Sequence, residues 1–168
     1  MSATEPTKPS FQAFLDCFPP VELPFTLGED THLLFSREND PIPAAIIAEY
    51  ILPLEGETDT DEVTEYIACF SLPTPPAYHA IVYWKAGLLQ YEYKLFTFDT
   101  RGFLIAERVI AGTTFDGAEL TQTVVSIRED LLLYLVSGQK QVEYSEYAAA
   151  TSTANRLQIT SEGKMVEL

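Results

Sequence analysis

The stretch YHAIVYWKAGLLQYEYKLFTFDTRGFLIAERVIAG, residues 78–112, decides the fold class. It holds three runs rich in aromatic and β-branched residues, at 78–86, 88–98 and 103–111, and such runs favour β-strands. Only Gly87 separates the first two runs, and the tetrapeptide DTRG separates the second from the third. Antiparallel strands tolerate connections this short, whereas parallel strands need a crossover of about a dozen residues. The stretch therefore predicts an antiparallel meander.

The same pattern of strand-like runs and short turns extends from Val63 to the end of the chain. Further runs are bounded by turn-forming residues, and they read VTEYIACFSL, ELTQTVVSI, DLLLYLVS, QVEYSEYAA and RLQITS. The alanines that follow Gln141 also suit a short helix. The segments IVYW and DLLLYLV are apolar on both sides, which predicts central strands covered on both faces.

Two helices are predicted ahead of this meander. Ser10 is a good N-cap, and four apolar residues follow at helical spacing: Phe11, Phe14, Leu15 and Phe18. Asp40 before Pro41 is an N-cap and N1 signature, and predicts a second helix that ends near Leu54. The segment THLLFS, between the two helices, predicts a short strand.

These elements predict an α+β fold. Two N-terminal helices pack on an antiparallel β-meander of about seven or eight strands, and closure of that sheet into a barrel stays open. We expect residues 1–9 to be a flexible N-terminus and residues 10–168 to be a single domain. Within it, residues 10–54 form a helical and extended acidic part and residues 63–168 form the meander.

The charge of the chain is strongly negative and unevenly distributed. The formal net charge is −15, and residues 1–70 contribute −12 of it through 14 acids and two bases. Such a surface repels phosphate backbones and anionic membranes, so we expect neither nucleic acid nor membrane as a partner. It would attract a basic protein, although acidity can also serve solubility alone.

The segment EGETDTDE, residues 55–62, contains five acids: Glu55, Glu57, Asp59, Asp61 and Glu62. An EF-hand calcium loop needs a glycine after its third acid, and the only glycine of this segment stands second. A solvated junction between helix and sheet is the simplest interpretation. Contact with a basic partner is the best functional one, and we predict no metal or cofactor site.

Catalytic signatures are missing from the sequence. Two cysteines and two histidines are widely spaced, and no zinc spacing, phosphate loop or nucleophile elbow occurs. Cys69 and His79 could approach only if their two strands pair. The chain starts without a signal peptide pattern, and we expect a cytoplasmic protein with reduced thiols.

Aromatic residues cluster in the first strands of the meander, notably Tyr78, Tyr83, Trp84, Tyr91 and Tyr93. Such residues are either interface anchors or cross-strand packing pairs. The sequence predicts a non-catalytic acidic protein-binding protein, of inhibitor or immunity type, that neutralises a basic partner. Its contact residues would be the five acids of EGETDTDE together with Tyr78, Tyr83 and Trp84. The alternative is a small-ligand-binding or enzymatic β-barrel with a Tyr-lined apolar cavity.

Overall fold

A computed structural model describes residues 7–115, 117–141 and 152–168 of the chain, with the side chains of residues 140 and 141 left out. The helical elements are α1 (Phe11–Leu15), α2 (Thr31–Glu38), α3 (Ala44–Ile46), a π-helix (Ile47–Ile51) and α4 (Leu52–Glu55). The strands are β1 (Phe25–Leu27), β2 (Glu65–Ser71), β3 (Tyr78–Ala86), β4 (Gln90–Asp99), β5 (Leu104–Phe115), β6 (Glu119–Ile127), β7 (Leu132–Gln141), β8 (Thr153–Ile159) and β9 (Met165–Glu167). The flexible start predicted for residues 1–9 lies mostly outside the described residues. Most of the run QVEYSEYAA, whose sequence suits both a strand and a short helix, also lies outside them.

The nine strands form one antiparallel sheet in meander order. Neighbouring strands from β2 to β9 pair in sequence order, and β1 pairs with β6 outside this path. The α+β prediction therefore fits broadly, with one strand more than expected. Closure into a barrel is not observed, because β2 and β9 stand at opposite ends of the hydrogen-bonded order of the described strands.

Strand β3 is covered on both faces, as its sequence predicts. Alternate side chains such as Val82 and Trp84 enter the larger core cluster, which they share with residues of β4 to β8. Ile81 and Tyr83 enter a second cluster, which they share with α1 and the segment from Ile42 to Ile51. The same prediction is wrong for β7, because Val136 is 53% exposed and this strand buries one face only.

The helical part departs from prediction at two places. The second helix begins at Ala44 rather than after Asp40, because Ile42 precedes Pro43 and the proline ring disfavours helical geometry there. The predicted strand THLLFS is wrong, since these residues belong to α2. Phe35 is the one buried residue of α2, so this helix does not need the apolar stripe by which a helix is recognised in sequence.

Strand β5 pairs with two neighbours only from Gly112 onward. It pairs with β4 from Leu104 to Thr114, whereas only its end, from Gly112 to Phe115, pairs with β6. A Cβ on Gly112 would lie 2.0 Å from the Tyr91 carbonyl oxygen, and the glycine has a φ of 141°. β5 pairs with residues 120–123 of β6, and β1 pairs with residues 125–127 farther along this strand. None of the helices in the described part of the chain is long and apolar enough to cross a membrane.

Candidate protein-binding site

The segment EGETDTDE begins in a helix and continues as an exposed loop. Helix α4 ends at Glu55, Gly56 adopts the left-handed conformation, and the Glu57 N–H donates to the Leu52 carbonyl 2.9 Å away. This is a common C-terminal cap, for which glycine is the favoured residue. The other four acids are exposed on the loop that leads to β2: Glu57, Asp59, Asp61 and Glu62.

Asp61 organises the end of this loop. Its carboxylate accepts hydrogen bonds from the N–H groups of Val63 and Thr64, at 3.0 and 2.6 Å, and from the Thr64 hydroxyl at 3.0 Å. These bonds, with those of Thr64 first, lower the pKa of Asp61. The carboxylate therefore has a structural role in the turn, and variants that test partner binding should keep it.

Glu55 differs from the other acids because its side chain is buried. The side chain is 1% exposed, and its carboxylate accepts hydrogen bonds from the Nζ atoms of Lys85 and Lys94, each at 2.8 Å. The Tyr83 hydroxyl also donates to it. These four residues, which we call the Glu55 clamp, fasten the end of α4 to β3 and β4. Glu55 is therefore neutralised within the domain and is not displayed to a partner.

The protonation states of the Glu55 clamp follow from burial and charge. Burial alone would raise the pKa of Glu55, but hydrogen bonds from Lys85, Lys94 and Tyr83 outweigh it and lower that pKa. Burial and the adjacent carboxylate together raise the pKa of Tyr83, which keeps its hydroxyl protonated and able to donate. Burial opposes the charge of Lys85, yet the bond to Glu55 and its negative charge raise the pKa of this lysine.

Sequence reasoning missed the Glu55 clamp, although the positions of its residues carry a signal for it. Glu55 lies four positions after Ile51 and three after Leu52, on the helical face that those two residues bury. Lys85 and Tyr83 are two positions apart on β3, so their side chains lie on the same face of the sheet, toward the helices. A carboxylate on the buried face of a helix, opposite lysines in buried strands, predicts an internal ion pair.

A cleft of about 300 Å³ lies between the exposed loop after α4, the helical residues that precede this loop, and β2. Part of its wall is apolar and buried or half-buried, and consists of Ile42, Ile47, Leu52 and Tyr66. Four exposed acids also line it: Glu57, Asp59, Asp61 and Glu65. Lys85 is the single basic residue of this lining, and its ammonium group already contacts Glu55. We call this feature the acidic cleft.

The aromatic residues predicted as contacts lie in the core. Tyr78, Tyr83 and Trp84 are 1%, 0% and 6% exposed. They pack as the cross-strand interpretation expects, and they offer no surface to a partner in this conformation. Tyr93, at 1% exposure, belongs with Tyr78 to the larger core cluster, and Tyr83 belongs to the second cluster. None of these three tyrosines lines the acidic cleft.

The indole of Trp84 forms the centre of an aromatic stack. The His32 ring lies parallel to it at a centroid distance of 4.3 Å, and Tyr91 stacks at 5.9 Å. The Nδ1 atom of His32 lies 2.9 Å from the Glu29 carbonyl oxygen. This stack fixes α2 on the sheet, and it is the second side-chain arrangement that sequence reasoning missed.

The cysteines and the second histidine form no catalytic pair. β2 and β3 do pair, but Cys69 belongs to the larger core, whereas the His79 ring contacts Phe11 in the helical layer. Both thiols are free, and burial raises the pKa of each, which disfavours the reactive thiolate. Among the residues that the structure describes, no group of three or more His, Cys, Asp or Glu is placed to hold a metal ion.

The geometry thus presents one acidic cleft with an apolar wall, built on an internally fastened helical layer. Comparison of the chain with models of protein families, with curated proteins and with solved structures finds no match.

Proposed function

We propose that this chain is a non-catalytic acidic protein that binds a basic partner protein, in the manner of an inhibitor or an immunity protein. The acidic cleft is the observation that supports it. Four exposed carboxylates stand there beside apolar side chains, and the one lysine of the lining is held by Glu55. This arrangement leaves the carboxylates of the cleft to attract a cation from outside.

The chemistry of the acidic cleft suits lysine and arginine side chains. Both carry an aliphatic stem that packs on apolar surface and a charged end that prefers carboxylates or water. Ile47 and Leu52 can cover the stem, while Glu57 and Asp59 face the charge. A partner with several basic residues would match this combination better than a small neutral ligand.

The distribution of charge favours rapid association with such a partner. Residues 1–70 carry −12 of the net −15, so the acidic cleft lies in the most negative part of the sequence. Complementary charge increases association rates and discriminates against partners of the same sign. The same field repels nucleic acids, which are therefore outside this proposal.

Capture from a lysate of the native cell at low salt tests the proposal. The site variant carries Glu57→Gln, Asp59→Asn and Glu65→Gln, which remove three acids of the cleft while keeping Asp61 and the Glu55 clamp. The control variant carries Glu107→Gln, Glu129→Gln and Glu162→Gln, an equal charge change at other exposed positions.

We expect the wild type and the control variant to retain the same basic protein, because the charge of the acidic cleft is intact in both. We expect the site variant to lose it, and added salt to release it from the wild type and the control variant. Equal capture by the site and control variants would remove the cleft from the proposal, and capture of only acidic or neutral proteins would contradict the function itself.

A further inference from the structure

Strand β2 is an edge of the sheet that is protected along part of its length only. Asn39 covers one part, since its side-chain amide donates to the carbonyls of Ala68 and Cys69 at 2.7 and 2.9 Å. The Val21 N–H donates to the Ser71 carbonyl, and the Ser71 N–H donates to Pro19. Within the described ranges, no backbone group pairs with the outer edge of β2 at Glu65–Ile67.

The unprotected part of this edge offers usable hydrogen-bonding groups. The Ala68 carbonyl points outward, toward Asn39, and residues two apart in a strand point the same way. The N–H and C=O of Tyr66 therefore face outward. Natural proteins usually cover or blunt such edges, and here the cover stops at Ala68.

The open edge is also a wall of the acidic cleft. Thr64, Glu65 and Tyr66 line the cleft on the β2 side, and Ile47 of the π-helix and Leu52 of α4 line it opposite. A chain that paired with Tyr66 would therefore run through the acidic cleft. π-Helical turns occur frequently at functional sites, in keeping with this position.

We propose that an extended segment of the partner, rich in lysine or arginine, adds to the outer edge of β2 as a short strand. This inference rests on the proposed function and specifies how the partner binds. Backbone bonds to Tyr66 would give affinity, and alternate side chains of the added strand would enter the acidic cleft and give specificity. The open edge spans about three residues, or roughly 10 Å, so the added strand is short.

Charge identifies this occupant over a second copy of the same chain. Glu65 sits on the open edge, and Glu57, Asp59 and Asp61 flank it. Two copies paired edge to edge would bring these acids together, and like charges directly opposite one another destabilise strand pairing. A basic segment brings the opposite charge to each of these positions.

A titration of ¹⁵N-labelled protein with the peptide Lys-Val-Lys-Val-Lys-Val tests strand addition. A second peptide has the same sequence with two consecutive central amides N-methylated, so that neither of its edges can pair. A Glu-Val peptide of equal length is the charge control. The readouts are the dissociation constant, the backbone amide shifts and the exchange rate of the Tyr66 amide hydrogen.

We expect the unmodified basic peptide to shift the amides around Tyr66 and to slow Tyr66 exchange. Its N-methylated form should bind about tenfold more weakly or worse, because hydrogen bonds to the edge are lost. Equal binding of both basic peptides would overturn strand addition and leave the acidic attraction intact. No binding, or shifts confined to another edge, would also overturn it, and lysate capture would then decide the proposed function separately.

Discussion

Glu55 connects the helical layer to the sheet through one buried carboxylate. Replacing it by glutamine keeps the shape but leaves Lys85 and Lys94 without a counter-charge, at 23% and 16% side-chain exposure. We expect Glu55→Gln to lower the free energy of unfolding by about 3 kcal/mol, because breaking one side of a buried ion pair is costly. Urea denaturation measures it, and Glu62→Gln on the exposed loop, expected within about 0.5 kcal/mol of wild type, is the control. Equal effects of the two variants would contradict the role of the clamp.

The contribution of Glu55 should depend on pH in a defined direction. Its pKa in the folded chain lies below the ordinary value of 4.5. A lowered pKa means that stabilisation is present above 4.5 and is lost as pH falls through the folded value. The stability difference between wild type and Glu55→Gln should therefore shrink from about pH 7 to about pH 3. A difference that stays constant over this range would show that the charge of Glu55 is not what stabilises the fold.

Removing the hydroxyl group of Tyr78 and of Tyr83 should have different effects on the stability of the fold. The Tyr78 hydroxyl has no hydrogen-bond partner among the described residues, whereas the Tyr83 hydroxyl donates to Glu55. We expect Tyr78→Phe to leave stability unchanged or to raise it by about 1 kcal/mol, and Tyr83→Phe to lower it by about 1 kcal/mol. Thermal unfolding of both variants measures this. Destabilisation by Tyr78→Phe would reveal a bound water or other partner at that hydroxyl.

At the scale of elements, the close pairing of β5 with β4 depends on Gly112. An added Cβ would collide with the Tyr91 carbonyl oxygen at 2.0 Å, in a backbone conformation that other residues rarely adopt. We expect Gly112→Ala to lower the free energy of unfolding by about 3 kcal/mol. Gly87→Ala is the control, since its nearest non-neighbouring atom would lie 3.7 Å away and the expected cost is below about 1 kcal/mol. Similar losses in both variants would contradict a special role for Gly112 in this pairing.

The strands were predictable from sequence because each run is bounded by its own turn residues. β3 and β6 have the predicted limits, at Tyr78–Ala86 and Glu119–Ile127. The α2 helix was not predictable in this way, because it buries little of its surface and is held by the stack of His32 on Trp84. That contact joins residues about fifty positions apart, and no local pattern in the sequence encodes it.

At the scale of the molecule, the net charge was readable from sequence but its arrangement was not. EGETDTDE reads as one solvated run, yet the structure buries Glu55 and exposes the four acids that follow. Glu65 also lines the acidic cleft. Its position in the same cleft as Glu57 depends on how β2 packs against the helices. Long-range packing thus gives Glu55 a structural role and leaves the exposed acids of the cleft accessible to a partner.

The dissociation constant of the purified captured partner, measured for the wild type, site variant and control variant, tests the central claim most directly. At about 50 mM salt the site variant should bind about tenfold more weakly than the other two, because it alone lacks three of the four exposed acids of the acidic cleft. At about 500 mM salt the three constants should converge, since screening removes the attraction. Equal constants for the site and control variants at low salt would contradict the claim that this cleft receives the basic partner.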